Sequence, residues 1–355
     1  MITRGRVEAL FGLEHPIVQG PFGGGLSTVR LAAAVSEAGG LGSFGAHILE
    51  PEQITKLVAE LKAATDRPFA VNLWVPQAGE TEPAELAAHI DRLRPYYEEL
   101  GVPAPGPGLP PSPSFAEQVE ALVEAAPPVI SFVMGIPSPE VLAEAGRRGI
   151  RTIGTATTVD EAVAVEAAGM DAVVASGSDA GGHRGAFLRP VDESLVGTFS
   201  LVPQVADAVT IPVIAAGGIA DGRGVAAALV LGADGVQIGT GFLATDESGA
   251  SAVHKRALHG PDARTTVLTR LFSGRLARGI PNRFVRELRP YEDAVPPYPI
   301  QNALMLPIRR AAAERGLPDL VNLWSGQAAP LTTPRSARDY LEALVADAAR
   351  TLGHT

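Results

Sequence analysis

The chain has 355 residues, 46% of them hydrophobic and 19% charged, which is typical of a soluble globular protein with a large core. Its formal net charge of −10 argues against a general nucleic-acid binder and against a partner of anionic membrane surfaces, while a local positive site for an anionic substrate stays allowed. The absence of cysteine excludes disulfides, thiolate catalysis and cysteine-ligated metals.

The N-terminal stretch has no apolar core long enough for a signal peptide. No run of about 18 apolar residues occurs elsewhere in the chain. Together with the lack of cysteine, this predicts a cytoplasmic protein with no membrane partner.

Short apolar runs alternate with Ala-rich helical stretches along the chain. Strands are predicted at 16–19, 40–44, 69–75, 129–133, 151–154, 171–175, 212–216 and 235–239. Helices are predicted at 28–38, 51–64, 138–148, 158–168 and 222–231, several of them ending at a glycine. The strands are short and continuously apolar, as parallel strands buried on both faces are.

Eight strands alternating with helices predict an α/β fold, a (β/α)8 TIM barrel. A doubly wound open sheet with a second domain is the main alternative, and the strand count favours the barrel. The proline-rich region 76–115 is predicted as an insertion after the third strand, with a helix near 83–100. We expect residues 1–250 to form the barrel with this insertion, and residues 251–355 to form a helical C-terminal region that covers the active face.

Glycines end the last two predicted strands. Gly217 and Gly218 precede Asp221, a helix N-cap candidate, and one unit later the chain reads Gly239-Thr240-Gly241. Glycines let a ligand approach main-chain N–H groups, and a helix N-terminus favours a phosphate. Because the loops after strands seven and eight are the usual phosphate site of such barrels, the pair predicts a ligand that carries phosphate. Tight-turn glycines are the alternative for either loop alone.

Two other strand ends carry polar or flexible residues. The stretch QGPFGGGLS, which begins at Gln19, lacks the glycine spacing of a dinucleotide fingerprint, so a loop lying against a planar ring explains it better than a dinucleotide site. An ordinary Gly-rich loop is the alternative. Asn72 ends a hydrophobic strand and needs partners for its amide, which either a ring ligand or a network inside the barrel would supply.

His183 follows the sixth predicted strand, in SDAGGHRGAF, on the face where barrel active sites lie. The flanking glycines allow close approach of a ligand, and imidazole exchanges protons near neutral pH. The alternatives are a satisfied loop histidine, a surface residue or a metal ligand, and the last is disfavoured because only Asp179 lies near at ligand spacing. Surface or packing roles are expected for the other histidines considered, which are His15, His47, His89, His254 and His259.

The C-terminal part carries Arg275, Arg278 and Arg283 within SGRLARGIPNRF, and LWSGQ at 323–327. The arginines could attract an anion over the barrel mouth or pair with carboxylates, and the second is the commoner fate of surface arginines.

The motifs taken in order resemble one known family. They are HPIVQGPFGGGLSTVRLAAAVSEAGGLGSFG, VNLWVPQ, GSDAGGHRGAF, PVIAAGGIADGRGVAAALVLGADGVQIGTGFL and LWSGQ, and they run from about residue 14 to about residue 330. This set resembles the nitronate monooxygenases. The resemblance implies a TIM barrel that binds FMN and no metal, and that oxidises alkyl nitronates or nitroalkanes with O2 to a carbonyl compound and nitrite. A homodimer is compatible with it.

The resemblance also implies roles for residues of this chain. His183 would bind the nitronate oxygens and remove the α-proton of a neutral nitroalkane, Asn72 would contact the flavin ring, and Gly181 would lie against the cofactor. The other FMN-binding positions that it implies are Gln19, Gly20, Pro21, Ser176, Ala180, Gly182, Gly217, Gly218, Gln237, Gly239 and Thr240.

The chain departs from the family at two of these places. Pro21-Phe22 stands where the family has a methionine beside the flavin, and Ser176 stands where many members have glutamine. Both departures bear on the substrate more than on flavin binding. An FMN- and NAD(P)H-dependent enoyl-acyl-carrier-protein reductase of the same superfamily and a non-catalytic flavin-binding barrel are the alternative functions.

Overall fold

The computed structural model describes residues 5–77, 83–105 and 113–353, and within these ranges helices and strands alternate along the chain. The strands are β1 Ile17–Gln19, β2 Gly42–Gly45, β3 Phe69–Trp74, β4 Val129–Val133, β5 Arg151–Ala156, β6 Ala172–Ser176, β7 Gly182–His183, β8 Val213–Ala216, β9 Gly235–Ile238, β10 Val267–Thr269 and β11 Ala277–Gly279. The helices are α1 Arg6–Phe11, α2 Val29–Glu37, α3 Pro51–Ala64, α4 Pro83–Glu99, α5 Phe115–Ala125, α6 Pro139–Arg147, α7 Val159–Ala167, α8 Thr198–Ala208, α9 Gly222–Val230, α10 Thr240–Leu243, α11 Ala252–Leu258, α12 Arg283–Leu288, α13 Ile300–Glu314 and α14 Ala337–Thr351.

Eight parallel strands form the barrel, in the order β1-β9-β8-β6-β5-β4-β3-β2. A parallel bridge between Val18 and Leu41 joins the two ends of this order and closes the cylinder. The bridge is made by two main-chain hydrogen bonds, from the N–H of Gln19 to the carbonyl of Leu41 and from the N–H of Leu41 to the carbonyl of Ile17. The predicted TIM barrel is confirmed, and the open doubly wound sheet is excluded.

The eight predicted barrel strands are all present, with ends within two residues of the prediction. Their interiors are buried, as expected for strands covered on both faces. The five predicted barrel helices are also present, and glycines with positive φ follow four of them, at Gly39, Gly149, Gly169 and Gly232. The sequence analysis did not predict α5, α8 or the three strands outside the barrel.

The C-terminal region contains strands as well as helices. β10 and β11 pair with each other, and β11 pairs with β7, in an antiparallel sheet of order β10-β11-β7. This sheet brings the C-terminal region onto the loop that follows β6. The last helix, α14, packs instead against α9 and α2 in the outer ring of the barrel. The expected division of the chain at residue 250 stays a prediction. Helix α14 follows that position but packs among the helices of the barrel.

The insertion after β3 packs on the C-terminal region. Leu93 of α4 and Leu100, which follows the helix, are fully buried in one apolar cluster with Leu304 and Ile308 of α13. The hydroxyl of Tyr97 donates to the carbonyl of Leu304 at 2.6 Å. The predicted helix near 83–100 is therefore present, and the prolines of its following stretch at 106–112 lie outside the described residues. We call α4 together with residues 250–331 the cap.

Within the described ranges, no helix combines the length and the apolar character that crossing a lipid bilayer requires.

Glycine is required where α2 lies directly on β2. A Cβ at Gly42 would overlap the main-chain carbonyl of Ala32, which cannot move without shifting the helix.

We therefore expect Gly42→Ala to lower the free energy of unfolding by about 1–3 kcal/mol, as overpacking does. The matched control is Gly146→Ala in α6, where no atom lies within 4 Å of the added carbon. That substitution should raise the free energy of unfolding by about 0.5–1 kcal/mol, because alanine favours helix. Urea unfolding of the three proteins measures both, and equal midpoints would contradict the packing argument.

His254 joins α11 to the segment that carries Trp324. Its Nε2 donates to the carbonyl of Trp324 at 2.8 Å, and the side chain is 2% exposed. Burial lowers the pKa of His254 to about 4, although the hydrogen bond opposes this shift.

Because His254 stays neutral in the folded protein while an unfolded histidine binds a proton below about pH 6.5, acid favours unfolding from pH 6.5 down to about pH 4. We expect this histidine to contribute a loss of about 1.4 kcal/mol per pH unit over that window. Urea unfolding of wild type and His254→Gln at pH 7 and pH 5 tests it, since carboxylates titrate alike in both proteins. An identical pH dependence of the two would refute the assignment.

Candidate active site

The residues expected at the site lie at the carboxyl ends of the barrel strands. Parallel strands of a closed barrel end on one rim, so Gln19, Ser176, Ala216 and Ile238 each lead into a loop on the same face, and Asn72 lies two residues before the end of β3. The loops touch one another around the rim. A Cβ at Gly20, for instance, would lie 3.1 Å from the Cα of Gly239, and one at Gly217 would lie 2.9 Å from the N of Ala180.

The rim between β8 and β9 offers main-chain donors. Gly218 adopts φ +70°, and Thr240 begins the short helix α10. Within the described residues, the N–H groups of Gly218 and Thr240 donate no hydrogen bond to the protein. The side chain of Thr240 is fixed from the other side, because its Oγ1 accepts from the N–H of Gly326 at 2.9 Å. Unpaired N–H groups on adjacent loops form a cradle for an anion such as a phosphate.

Gln19 and Asn72 are buried, and most of the polar atoms of their side chains form hydrogen bonds within the protein. Oε1 of Gln19 accepts from the N–H of Ser43 at 2.8 Å, and its Nε2 donates to the carbonyl of Gly20. Nδ2 of Asn72 donates to the carbonyl and the hydroxyl of Ser131, at 3.1 and 3.0 Å. The network inside the barrel thus satisfies the amide group of Asn72, while its Oδ1 accepts nothing from the described residues.

His183 lies among aromatic rings. Its ring centroid is 4.8 Å from that of Trp74 at the end of β3 and 5.3 Å from that of Trp324 in the cap, both edge to face. His47 stacks on the other side of Trp74, with centroids 3.6 Å apart and planes 6° apart. Tyr298 is 5.3 Å from Trp74. Barrel and cap together therefore build an apolar wall around one imidazole.

Burial by this wall and the positive charges nearby keep His183 neutral. Burial, followed by His47, Arg275 and Arg309, lowers the pKa of His183 well below its ordinary value. Burial also lowers the pKa of His47 to about 3. A neutral imidazole can accept a proton, which is what a general base requires. Its Nε2 lies 2.8 Å from the hydroxyl of Ser273 in the cap.

Arg275 and Arg309 bring positive charge to His183, and neither forms an ion pair with a carboxylate of the described residues. Arg275 contacts Gln77 and Met134, and Arg309 donates to the carbonyl and the side chain of Asn302. Burial lowers the pKa of Arg309 to about 10, so it stays charged at neutral pH. The Nε of Arg309 is buried and has no hydrogen-bond partner in the part of the chain that the structure describes. The site is therefore locally positive in a chain of net negative charge.

Of the three arginines weighed from the sequence, only Arg275 reaches this site. Arg278 donates to the carbonyl of Ser178 and the hydroxyl of Thr266, and Arg283 pairs with Glu99 at 2.6 Å. Pairing with a carboxylate is thus the outcome for Arg283 alone.

Several residues of the site were not found from the sequence. Trp74, Trp324, Tyr298, Ser273 and Arg184 were not considered, and for His47 only a surface or packing role was expected. His47 does pack on Trp74, but within the site. The strand-end position of Trp74, in VNLWV, was the available signal, because that end of a barrel strand faces the active rim. Ser273 and Trp324 lie in the motifs SGRLARGIPNRF and LWSGQ, but the motifs did not show that the folded sheet brings these residues to His183.

The remaining expected cofactor positions lie on or beside the rim. Ala180 donates its N–H to the carbonyl of Gly177, and the carbonyl of Ser176 accepts from Arg184. Gly181 packs against the main chain of Ser325 and Gly326, leaving no room there for a Cβ. Gly182 has φ +74° and open space beside it. The contacts of these residues, and of Pro21 and Gln237, with a cofactor stay predictions.

Within the described ranges, no three His, Asp or Glu side chains are grouped as metal ligands would be.

Comparison with known proteins places this geometry in one family. The model of the nitronate monooxygenase family matches residues 4–347. A probable nitronate monooxygenase of Staphylococcus aureus is 42% identical over 346 residues, which cover 97% of each chain. The crystal structure of a nitroalkane oxidase from Streptomyces ansochromogenes superposes with a TM-score of 0.91 at 41% identity, over 97% of this chain and 99% of that one.

A more distant likeness is to FabK from Thermotoga maritima, with a TM-score of 0.77 and 33% identity over 99% of this chain and 98% of that one. The family model and the curated relative each span nearly the whole sequence. The chain belongs to the nitronate monooxygenase family and is an enzyme.

Proposed function

We propose that this enzyme binds FMN on the barrel rim and uses O2 to oxidise alkyl nitronates, and nitroalkanes, to a carbonyl compound and nitrite. The observation that carries the proposal is His183, a neutral imidazole held in an aromatic wall on the rim that carries the anion cradle. The names of the relatives, a probable nitronate monooxygenase and a nitroalkane oxidase, agree with it.

The rim fits the parts of FMN. The unpaired N–H groups of Gly218 and Thr240 would hold the phosphate, and the close approach of Gly20 to Gly239 leaves no side chain between the loops there. The free Oδ1 of Asn72 would accept a hydrogen bond from the ring. Bound FMN would supply the redox chemistry, taking electrons from the substrate and passing them to O2.

The side chains of this chain would act on the substrate. Trp74, Trp324 and Tyr298 exclude water and present apolar surface to the alkyl part. Arg275 and Arg309 attract the negative charge of a nitronate, whether it enters as the anion or forms in the site. His183, neutral at the working pH, receives the α-proton of a nitroalkane.

A cytoplasmic location and a homodimer stay predictions from the sequence. The enoyl reductase and the non-catalytic barrel stay the alternatives, and the following experiment separates all three.

The purified protein should be yellow, with a flavin absorbance spectrum and FMN released on denaturation. Anaerobic mixing with an alkyl nitronate should bleach the flavin rapidly, whereas NADH should reduce it slowly, because the site has a base and positive charge for a nitronate. Absorbance recorded in a stopped-flow instrument measures both. Rapid reduction by NADH with no response to nitronates would favour the reductase, and protein that binds no added flavin would exclude both enzymes.

Replacing His183 should lower the rate of turnover without loss of bound FMN. His183→Asn should lower kcat/KM for a neutral nitroalkane by about 10²–10⁴-fold, the usual contribution of a general base. FMN content should not change. The matched control is His259→Asn, an exposed histidine that lies in the cap, and it should keep wild-type kinetics. Full nitroalkane turnover by His183→Asn would remove the histidine from the mechanism.

A further inference from the structure

Ser273 lies next to His183, in the turn that joins β10 to β11. Its side chain is fully buried, and its hydroxyl oxygen lies 2.8 Å from Nε2 of His183. This contact alone does not fix the proton, because a hydroxyl both donates and accepts and a neutral imidazole carries its proton on either nitrogen.

A second contact of the same hydroxyl decides the direction. Oγ of Ser273 lies 3.1 Å from the carbonyl oxygen of Arg275, and a carbonyl can only accept. A Ser273 hydroxyl that donates to this carbonyl has no second proton to give, and it then accepts from Nε2 of His183. The N–H of Arg275 also points at Oγ, at 3.4 Å, which again uses the hydroxyl as an acceptor. Neutral His183 therefore carries its proton on Nε2 and its lone pair on Nδ1.

Nδ1 of His183 makes no hydrogen bond with any residue that the structure describes. We propose that Ser273 is a positioning residue: it holds His183 as the Nε2–H tautomer and so makes Nδ1 the basic atom of the site. The tautomer stands on the hydrogen bonds alone, and only the proton that Nδ1 receives rests on the proposed function.

The step that follows is a proton transfer. The Cα–H bond of a nitroalkane breaks, its proton forms a bond to Nδ1, and its electron pair moves into the nitro group to give a nitronate anion. The resulting imidazolium keeps its Nε2–H bond to Ser273 and directs its new Nδ1–H towards the anion. The charged and titratable groups that act on it are His47, Arg275 and Arg309, and Tyr298 lies against Trp74. The two arginines oppose the imidazolium but stabilise the nitronate formed beside it.

The tautomer can be read without measuring activity. Nitrogen-15 NMR of histidine-labelled holoenzyme distinguishes a protonated from an unprotonated ring nitrogen, and His183→Asn identifies the signals of His183 by their loss. We expect Nε2 of His183 protonated and Nδ1 unprotonated in wild type, and a mixture of tautomers in Ser273→Ala. A wild-type ring protonated on Nδ1 would overturn the proposal.

Kinetics separate positioning from a general structural role. Ser273→Ala should lower kcat for a neutral nitroalkane about 10-fold, a part of what a general base supplies. Its turnover of the preformed nitronate, which needs no proton removal, should stay within about twofold of wild type, and so should its KM. The matched control is Ser194→Ala, another buried serine that donates to a carbonyl, that of Pro190, away from His183.

Equal losses with nitroalkane and nitronate in Ser273→Ala would show a structural role and overturn the positioning role. Unchanged nitroalkane kinetics with an unchanged spectrum would overturn it as well. If wild type itself oxidises no nitronate, the proposed function fails, and the NMR spectrum alone then decides the tautomer.

Discussion

The buried guanidinium of Arg184 is the constraint on which the site depends. The side chain is 2% exposed, and it donates to the carbonyls of Gly177 at 2.6 Å and Ser176 at 2.8 Å, where β6 ends. Burial, with Arg278 nearby, lowers its pKa to about 10, while Glu161 and Asp179 oppose the shift. A buried charge is tolerated only where hydrogen bonds replace its water. Here those bonds connect the end of β6 to Arg184, the residue that follows His183.

The neighbouring residues hold the same loop from other directions. The N–H of Arg184 donates to the carbonyl of Leu276, and β7 pairs with β11 at its side. The buried carboxylate of Glu161 accepts from the N–H groups of Phe187 and Leu188. The loop is thus attached to β6, to α7 and to the cap at once. An imidazole held this way loses little freedom when substrate arrives, which is what precise orientation of a catalytic group requires.

The sequence predicted the barrel well, because each strand is a short apolar run between helices that close with glycine. It also predicted where His183 and the glycine loops lie, since a barrel brings the carboxyl ends of its strands to one rim. It did not predict the wall around His183. Trp324, Tyr298 and Ser273 come from the cap, and their positions depend on pairing between β7 and β11, which are short and carry no alternating pattern. Arg184 was missed because a charged residue in a glycine loop is expected to face water.

The place of α14 in the barrel bears on how the chain folds. This helix packs against α9 and α2, and the C-terminal part of the cap, residues 250–331, lies between β9 and α14 in sequence. The ring of helices beside α9 and α2 is therefore incomplete until the chain has passed through residues 250–331 and reached α14. Long-range contacts of this kind form late, because the entropy of the intervening chain is lost before the contacts stabilise the structure. Completion of the helical ring around the barrel is consequently coupled to the ordering of residues 250–331.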